Sequence, residues 1–279
     1  MKKALLIIII LFAGFKLDAQ IPEFLWETDA VFSGPESVVY DPNRDLLYVS
    51  NLRKNPQGDI FYGTEFISKV NMKGEVLELK WIEDLTEPTG LCIFNDQLLI
   101  VERFGLVFYD LKNDRIAKKI RIHFDGFLND VTVGDDSTIY VSESSTQTIY
   151  SIKDKEITTW YSGGDITKPN GILFSNGQLF INVNGDSTIK SIDVKTKAVS
   201  KVAQMKKGII DGIKNIEDDL LISFLEGNLY RVTMDGKITE ILNTRRKEID
   251  MADIEYIESK KIVILPAIWQ HKVVAFKLK

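Results

Sequence analysis

Beyond the first twenty or so residues, apolar positions come in short runs rich in Val, Ile, Leu, Phe and Tyr, separated by polar turns carrying Gly, Asn and Asp. No sustained helical period interrupts them, and this pattern predicts an all-β chain. The runs also recur. A polar turn, an apolar strand, a second polar turn and a second apolar strand appear six times. The copies are PESVVYDPNRDLLYVSN (35–51), PTGLCIFNDQLLIVER (88–103), LNDVTVGDDSTIYVSES (128–144), PNGILFSNGQLFINVN (169–184), IDGIKNIEDDLLISFLEG (210–227) and MADIEYIESKKIVILPAIW (251–269). Aligned on the residue before the first strand, they put Glu36, Thr89, Asn129, Asn170, Asp211 and Ala252 in equivalent slots, with steps of 53, 40, 41, 41 and 41 residues.

Two more strands follow each pair, as in NLYRVTMDGKITEIL (228–242), where Asp235-Gly236 makes the hairpin turn. Four strands at a period near forty residues is the signature of a propeller blade. The sequence therefore predicts one six-bladed β-propeller, four antiparallel strands per blade, over residues 20–279. The last copy has only three strands of its own, ending in KVVAFKL (272–278), and FLWETD (24–29) supplies the fourth. That pairing closes the ring and removes two sheet edges.

Chain direction then places residues. The turn entering the first strand and the turn between the second and third lie on one face, so all six slots share that face near the axis. The 53-residue step carries an insertion at about Leu52 to Glu65, also on that face, where a lid would sit.

Charge and composition narrow the function classes. Lys2 and Lys3 followed by the apolar run Ala4 to Phe15 read as an export signal cleaved after Ala19. The run is too short to span a bilayer. Removing residues 1–19 takes away Lys2, Lys3, Lys16 and Asp18 and moves the net charge from −5 to −7. A mildly acidic chain with scattered charges is not built to grip nucleic acid. The single Cys92 cannot form an internal disulfide and reads as a strand residue. The sequence contains no G-x-S-x-G elbow and no dinucleotide fingerprint.

The slots hold two carboxylates and two carboxamides where a core would want apolar groups. Hard oxygen donors of this kind suit Ca²⁺, with Mg²⁺, Mn²⁺ or Zn²⁺ as alternatives. Taken singly, Asn170-Gly171 and Asp211-Gly212 also read as ordinary turn dipeptides.

These motifs resemble the regucalcin/gluconolactonase family of six-bladed propellers. GPESVVYDPNRDLLYVSN (34–51) is similar to the family's first-blade motif, KPNGILFSNGQLFIN (168–182) to its fourth and IDGI (210–213) to its fifth. The resemblance implies one divalent metal ion on Glu36, Asn170 and Asp211, and LNDVTV (128–133) implies a substrate contact at Asn129. It also implies hydrolysis of lactones or related esters, with Asp211 helping to deprotonate the attacking water. Sugar-lactonase members carry an Arg two residues before the third-blade Asn; Phe127 stands there in this chain, which implies a less polar substrate. Thr89, Trp269 and His271 complete the expected substrate surface, and Glu102, Arg103, Glu143, Asn184 and Glu226, at equivalent strand exits, either shape specificity or simply face solvent. The competing expectation is a non-catalytic exported propeller that binds a protein, peptide or glycan on the same face.

Overall fold

The computed structural model describes residues 22–52, 65–154 and 156–279. The expected export signal therefore lies outside the described residues, as does the insertion apart from its two buried ends, Leu52 and Glu65. The described chain forms six separate four-stranded antiparallel sheets in sequence order. Their inner strands are Pro35–Asp41, Leu91–Phe94, Leu128–Val133, Pro169–Ser175, Ile210–Ile216 and Glu255–Ile257. Neighbouring inner strands touch one another around the axis. This is the six-bladed propeller that the repeat predicts.

Closure is also as predicted. The strand Glu23–Glu27 pairs antiparallel with Lys272–Lys277 as the outer strand of blade six. Trp26 fastens it to blade one by donating its indole N–H to Met72 O at 3.0 Å. Six apolar layers then hold the blades together, one between each adjacent pair. Alternation along the strands explains this: each second strand sends apolar side chains to both flanking layers, as Leu98 and Ile100 do to one and Leu99 and Val101 to the other.

The inner strands are not regular. In blades one, three, four and five the register slips between residues 35 and 38, 128 and 131, 169 and 172, and 210 and 213. Those four slips contain Glu36, Asn129, Asn170 and Asp211. A bulge of this kind bends the strand and re-aims its side chains, and bulges concentrate near functional sites.

Candidate functional site

Asn170-Gly171 and Asp211-Gly212 are not turns. Both dipeptides lie inside inner strands, and neither glycine has a positive φ. The glycines are there because the blades approach closely: a Cβ on Gly171 would sit 2.3 Å from Asp211 O, and one on Gly212 would sit 2.6 Å from Ile254 N.

Hydrogen bonds, most of them from buried side chains on the second strands, join the slots of blades three to six and carry on to blade one. Ser142 Oγ accepts the Asp130 N–H at 3.0 Å and donates to Asn170 O at 2.7 Å. Ser223 Oγ accepts the Gly212 N–H at 2.8 Å and donates to Ala252 O at 2.7 Å. Asn182 Nδ2 donates to Asp211 O at 2.6 Å, and the Asp253 N–H donates to Glu36 O at 2.9 Å. Each link satisfies backbone groups that the bulge takes out of the ladder, and each ties one blade's slot to the next blade. The slots therefore form a fixed belt around the axis.

Along this belt Glu36 and Asp211 are each 6% exposed and Asn129 is 8% exposed, while Asn170 is half-buried. The carboxamides of Asn129 and Asn170 make no hydrogen bond with the described residues; only their backbone carbonyls are engaged. Thr89 is fully buried, and its hydroxyl donates to Leu128 O at 3.4 Å, so it offers the funnel no surface. Among the described residues no three or more His, Cys, Asp or Glu gather in an arrangement that could by themselves hold a metal ion. The donor set of the belt contains only two carboxylates, and the rest of any coordination would fall to carboxamides and water.

Trp269 and His271 sit in the turn of blade six between Ile262–Ala267 and Lys272–Lys277, on the face expected for them. Trp269 is 46% exposed. His271 Nδ1 accepts the Gly34 N–H at 3.4 Å, so that nitrogen serves the loop ahead of Glu36. The other histidine, His123, likewise spends Nδ1 on a backbone N–H, that of Asp125 at 3.0 Å.

The charged strand exits bond to backbone N–H groups. Glu102 accepts the Thr86 N–H, Glu143 the Phe127 N–H and Glu226 the Ile209 N–H, at 3.0, 2.7 and 3.1 Å. Asn51 does the same for Ser33, and Gln270 for Asp250, at 2.9 and 3.2 Å. In these five blades the exit residue holds the loop that leads into its own inner strand. Asn184 differs, exchanging two hydrogen bonds with the backbone of Ile210 in the next blade. These contacts clamp the loops.

Two features escape the slot alignment. Along the axis past the belt lies a charged group made of Asp130, Lys214, Asp253 and Glu255. Burial pushes all three carboxyls up; the carboxylates of Asp253, Glu255 and Asp130, acting against burial, hold the Lys214 ammonium above its ordinary range. Ser37 Oγ donates to Asp253 Oδ2 at 2.6 Å, and the N–H groups of Val131 and Ile172 donate to Asp130. Burial also pushes the nearby Cys92 thiol up to about 12, which makes it unreactive.

The second feature is Asp250, which is 7% exposed at the edge of a cavity of about 480 Å³ between blades five and six. Its Oδ2 accepts the Trp269 N–H at 3.3 Å, its Oδ1 has no hydrogen-bond partner, and burial pushes the carboxyl up to about 6. A neighbouring cavity of about 590 Å³ is bordered by Phe127, Asn129, Lys168 and Ile209, and the two cavities share Ile209.

No protein-family model matches the chain, and no curated protein matches it in sequence. Solved structures match it in shape. A gluconolactonase from Xanthomonas campestris is 14% identical, with a TM-score of 0.74 over 92% of this chain and 89% of its own. Catalytically inactive virginiamycin B lyase from Staphylococcus aureus, with quinupristin, is 16% identical, with a TM-score of 0.68 over 91% and 99% of the two chains. The WD40 propeller domain of Doa1 is 14% identical, with a TM-score of 0.64 over 87% and 78%. The propeller fold is thus shared with a gluconolactonase, a virginiamycin B lyase and a WD40 domain.

Proposed function

We propose that the chain is an exported hydrolase of lactone or related ester bonds, dependent on one divalent ion, most suitably Ca²⁺, held by Glu36, Asn170 and Asp211. The observation that carries this reading is the belt itself. Four oxygen-bearing side chains occupy the four register slips, and two of them, Asn129 and Asn170, are carboxamides left without protein partners at a largely enclosed position. Hard oxygen donors in that mixture fit a calcium-type ion better than a structural zinc. When bound, such an ion supplies Lewis-acid polarisation of a carbonyl and a lowered pKa for water.

The chain's own residues do the rest in this reading. Asp211 accepts a proton from the attacking water, within reach because its backbone is pinned by Asn182 and Gly171. Asn129 donates its amide N–H to the substrate's carbonyl or ring oxygen, where negative charge grows during attack. The burial of both side chains keeps bulk water from screening these contacts.

Elemental analysis and a chelator-sensitive thermal melt test the ion; a panel of lactones and aryl esters on the wild type and Asp211→Ala tests the chemistry. The expected result is one divalent ion per chain, a lower melting temperature in chelator, and turnover that falls at least a hundredfold in Asp211→Ala. Absence of a bound ion sinks the hydrolase reading. A bound ion with no turnover moves the assignment to a non-catalytic binding propeller, which the exposed Trp269 and Ile209 on the same face would suit.

A further inference from the structure

Phe127, Lys168, Ile209 and Asp250 are spaced by 41 residues, each two positions ahead of its blade's slot. All four border the two adjoining cavities on the belt's face. The first three stand directly ahead of Asn129, Asn170 and Asp211, so anything whose reacting bond lies at the belt must extend past them.

Each is held by its backbone. The Phe127 N–H is taken by Glu143 and the Ile209 N–H by Glu226, while Lys168 O accepts the Asn184 N–H at 3.2 Å. Phe127 is further fixed by the Arg103 guanidinium 5.8 Å from its ring centroid, and Arg103 in turn pairs with the fully buried Glu87 at 2.7 Å. The larger cavity therefore has firm apolar walls, Phe127 on one side and the half-exposed Ile209 on the other.

Its polar groups are few. Ser144 and Asn184 are committed to Pro169 O and to the Ile210 backbone. That leaves the exposed Ser145 hydroxyl, the Asn129 carboxamide, more than nine-tenths buried and without a protein partner, and the exposed Lys168 ammonium, the one cation of the lining, which makes no ion pair with the described residues. Lys168 also sits at φ 52°, the left-handed region that blade one fills at the equivalent position with Gly34 at φ 65°. No acid is among the residues lining this cavity; Glu143 and Glu226, which bond to its lining residues, are engaged by the Phe127 and Ile209 N–H groups.

We propose that Lys168 is a specificity-determining residue that selects lactones or esters with an apolar body ending in an anionic group. The body lies between Phe127 and Ile209, the carbonyl reaches Asn129, and the anion meets the ammonium. The substrate class rests on the hydrolase reading; the binding preference does not.

A matched pair tests this: 4-nitrophenyl hexanoate and the 4-nitrophenyl monoester of adipic acid, equal in chain length and differing in one terminal carboxylate. With calcium present, the wild type is expected to favour the monoester in kcat/KM. Lys168→Glu should raise KM for the monoester about tenfold and leave the hexanoate within twofold; Lys168→Gln should fall between. Equal use of both esters by the wild type, or equal loss of both in Lys168→Glu, overturns the proposal. If neither ester is turned over, titration calorimetry with the uncleavable anilides, adipic acid monoanilide and hexananilide, decides. Lys168-dependent preference for the acid upholds the proposal while the hydrolase reading fails, and no preference overturns it.

Discussion

Replacing Asp250 by Asn should make the protein more stable at neutral pH, against the usual expectation for a nearly buried polar residue. The carboxyl is 7% exposed, accepts one long hydrogen bond from Trp269 N and leaves Oδ1 without a partner. Burial pushes it up to about 6, roughly two units above a free aspartate. At about 1.4 kcal/mol per unit, the ionised form costs about 3 kcal/mol in the folded state. The sign follows from proton counting. Between about pH 4 and 6 the folded chain binds more protons than the unfolded one at this site, so stability falls as pH rises through that window and the loss is complete above it. An amide at position 250 keeps an oxygen for the Trp269 N–H and carries no charge beside Glu226 and Glu248, which with Arg245 line the same cavity. Urea denaturation of wild type and Asp250→Asn at several pH values reads this directly. The expected gap is about 2 to 3 kcal/mol in favour of the variant at pH 8, closing to nothing by pH 4. A variant less stable than wild type at pH 8, or a gap independent of pH, would refute the reasoning.

Other perturbations separate the parts of the fold. Lys214→Met leaves Asp130, Asp253 and Glu255 without their cation and should cost about 3 kcal/mol at pH 8 in chemical denaturation, less at low pH where the carboxyls protonate. Ser223→Ala strands the Gly212 N–H and Ala252 O together and should cost about 2 kcal/mol, with a weaker metal-dependent shift in the melt than the wild type shows. Gly171→Ala drives a Cβ into Asp211 O, so calorimetric metal affinity should fall at least tenfold. Trp26→Ala loosens the closing strand; differential scanning calorimetry should show a loss of about 2 kcal/mol, and proteolysis should begin at the N-terminal strand.

The repeat made the architecture legible, because a 41-residue period with alternating apolar positions leaves few other folds. The slots were legible for the same reason. The reading of Asn170-Gly171 and Asp211-Gly212 as turn dipeptides failed because sequence shows that a glycine is present but not whether a turn or a neighbouring backbone demands it. The axial charges were missed for a related cause. A strict two-residue alternation sends Asp130 to the side opposite its neighbour in the slot, and the bulge defeats that bookkeeping. The loop-holding contacts of Glu102, Glu143 and Glu226 were not legible because their partners are backbone N–H groups, which no side-chain pattern reveals. Lys168, Ile209 and Asp250 were available in the sequence at the spacing of Phe127, but only the shared cavities give that spacing a meaning.

The loop clamps have a consequence for how such a protein can change. Glu143 and Glu226 hold Phe127 and Ile209 by their amide hydrogens, and Gln270 holds Asp250 the same way. Each grip is therefore blind to the side chain it presents. The lip can be rewritten residue by residue, apolar to basic to acidic, while every loop keeps its course and the belt below keeps its spacing. Selection can then retune what enters the funnel in single mutational steps, none of which has to pass through a misfolded intermediate.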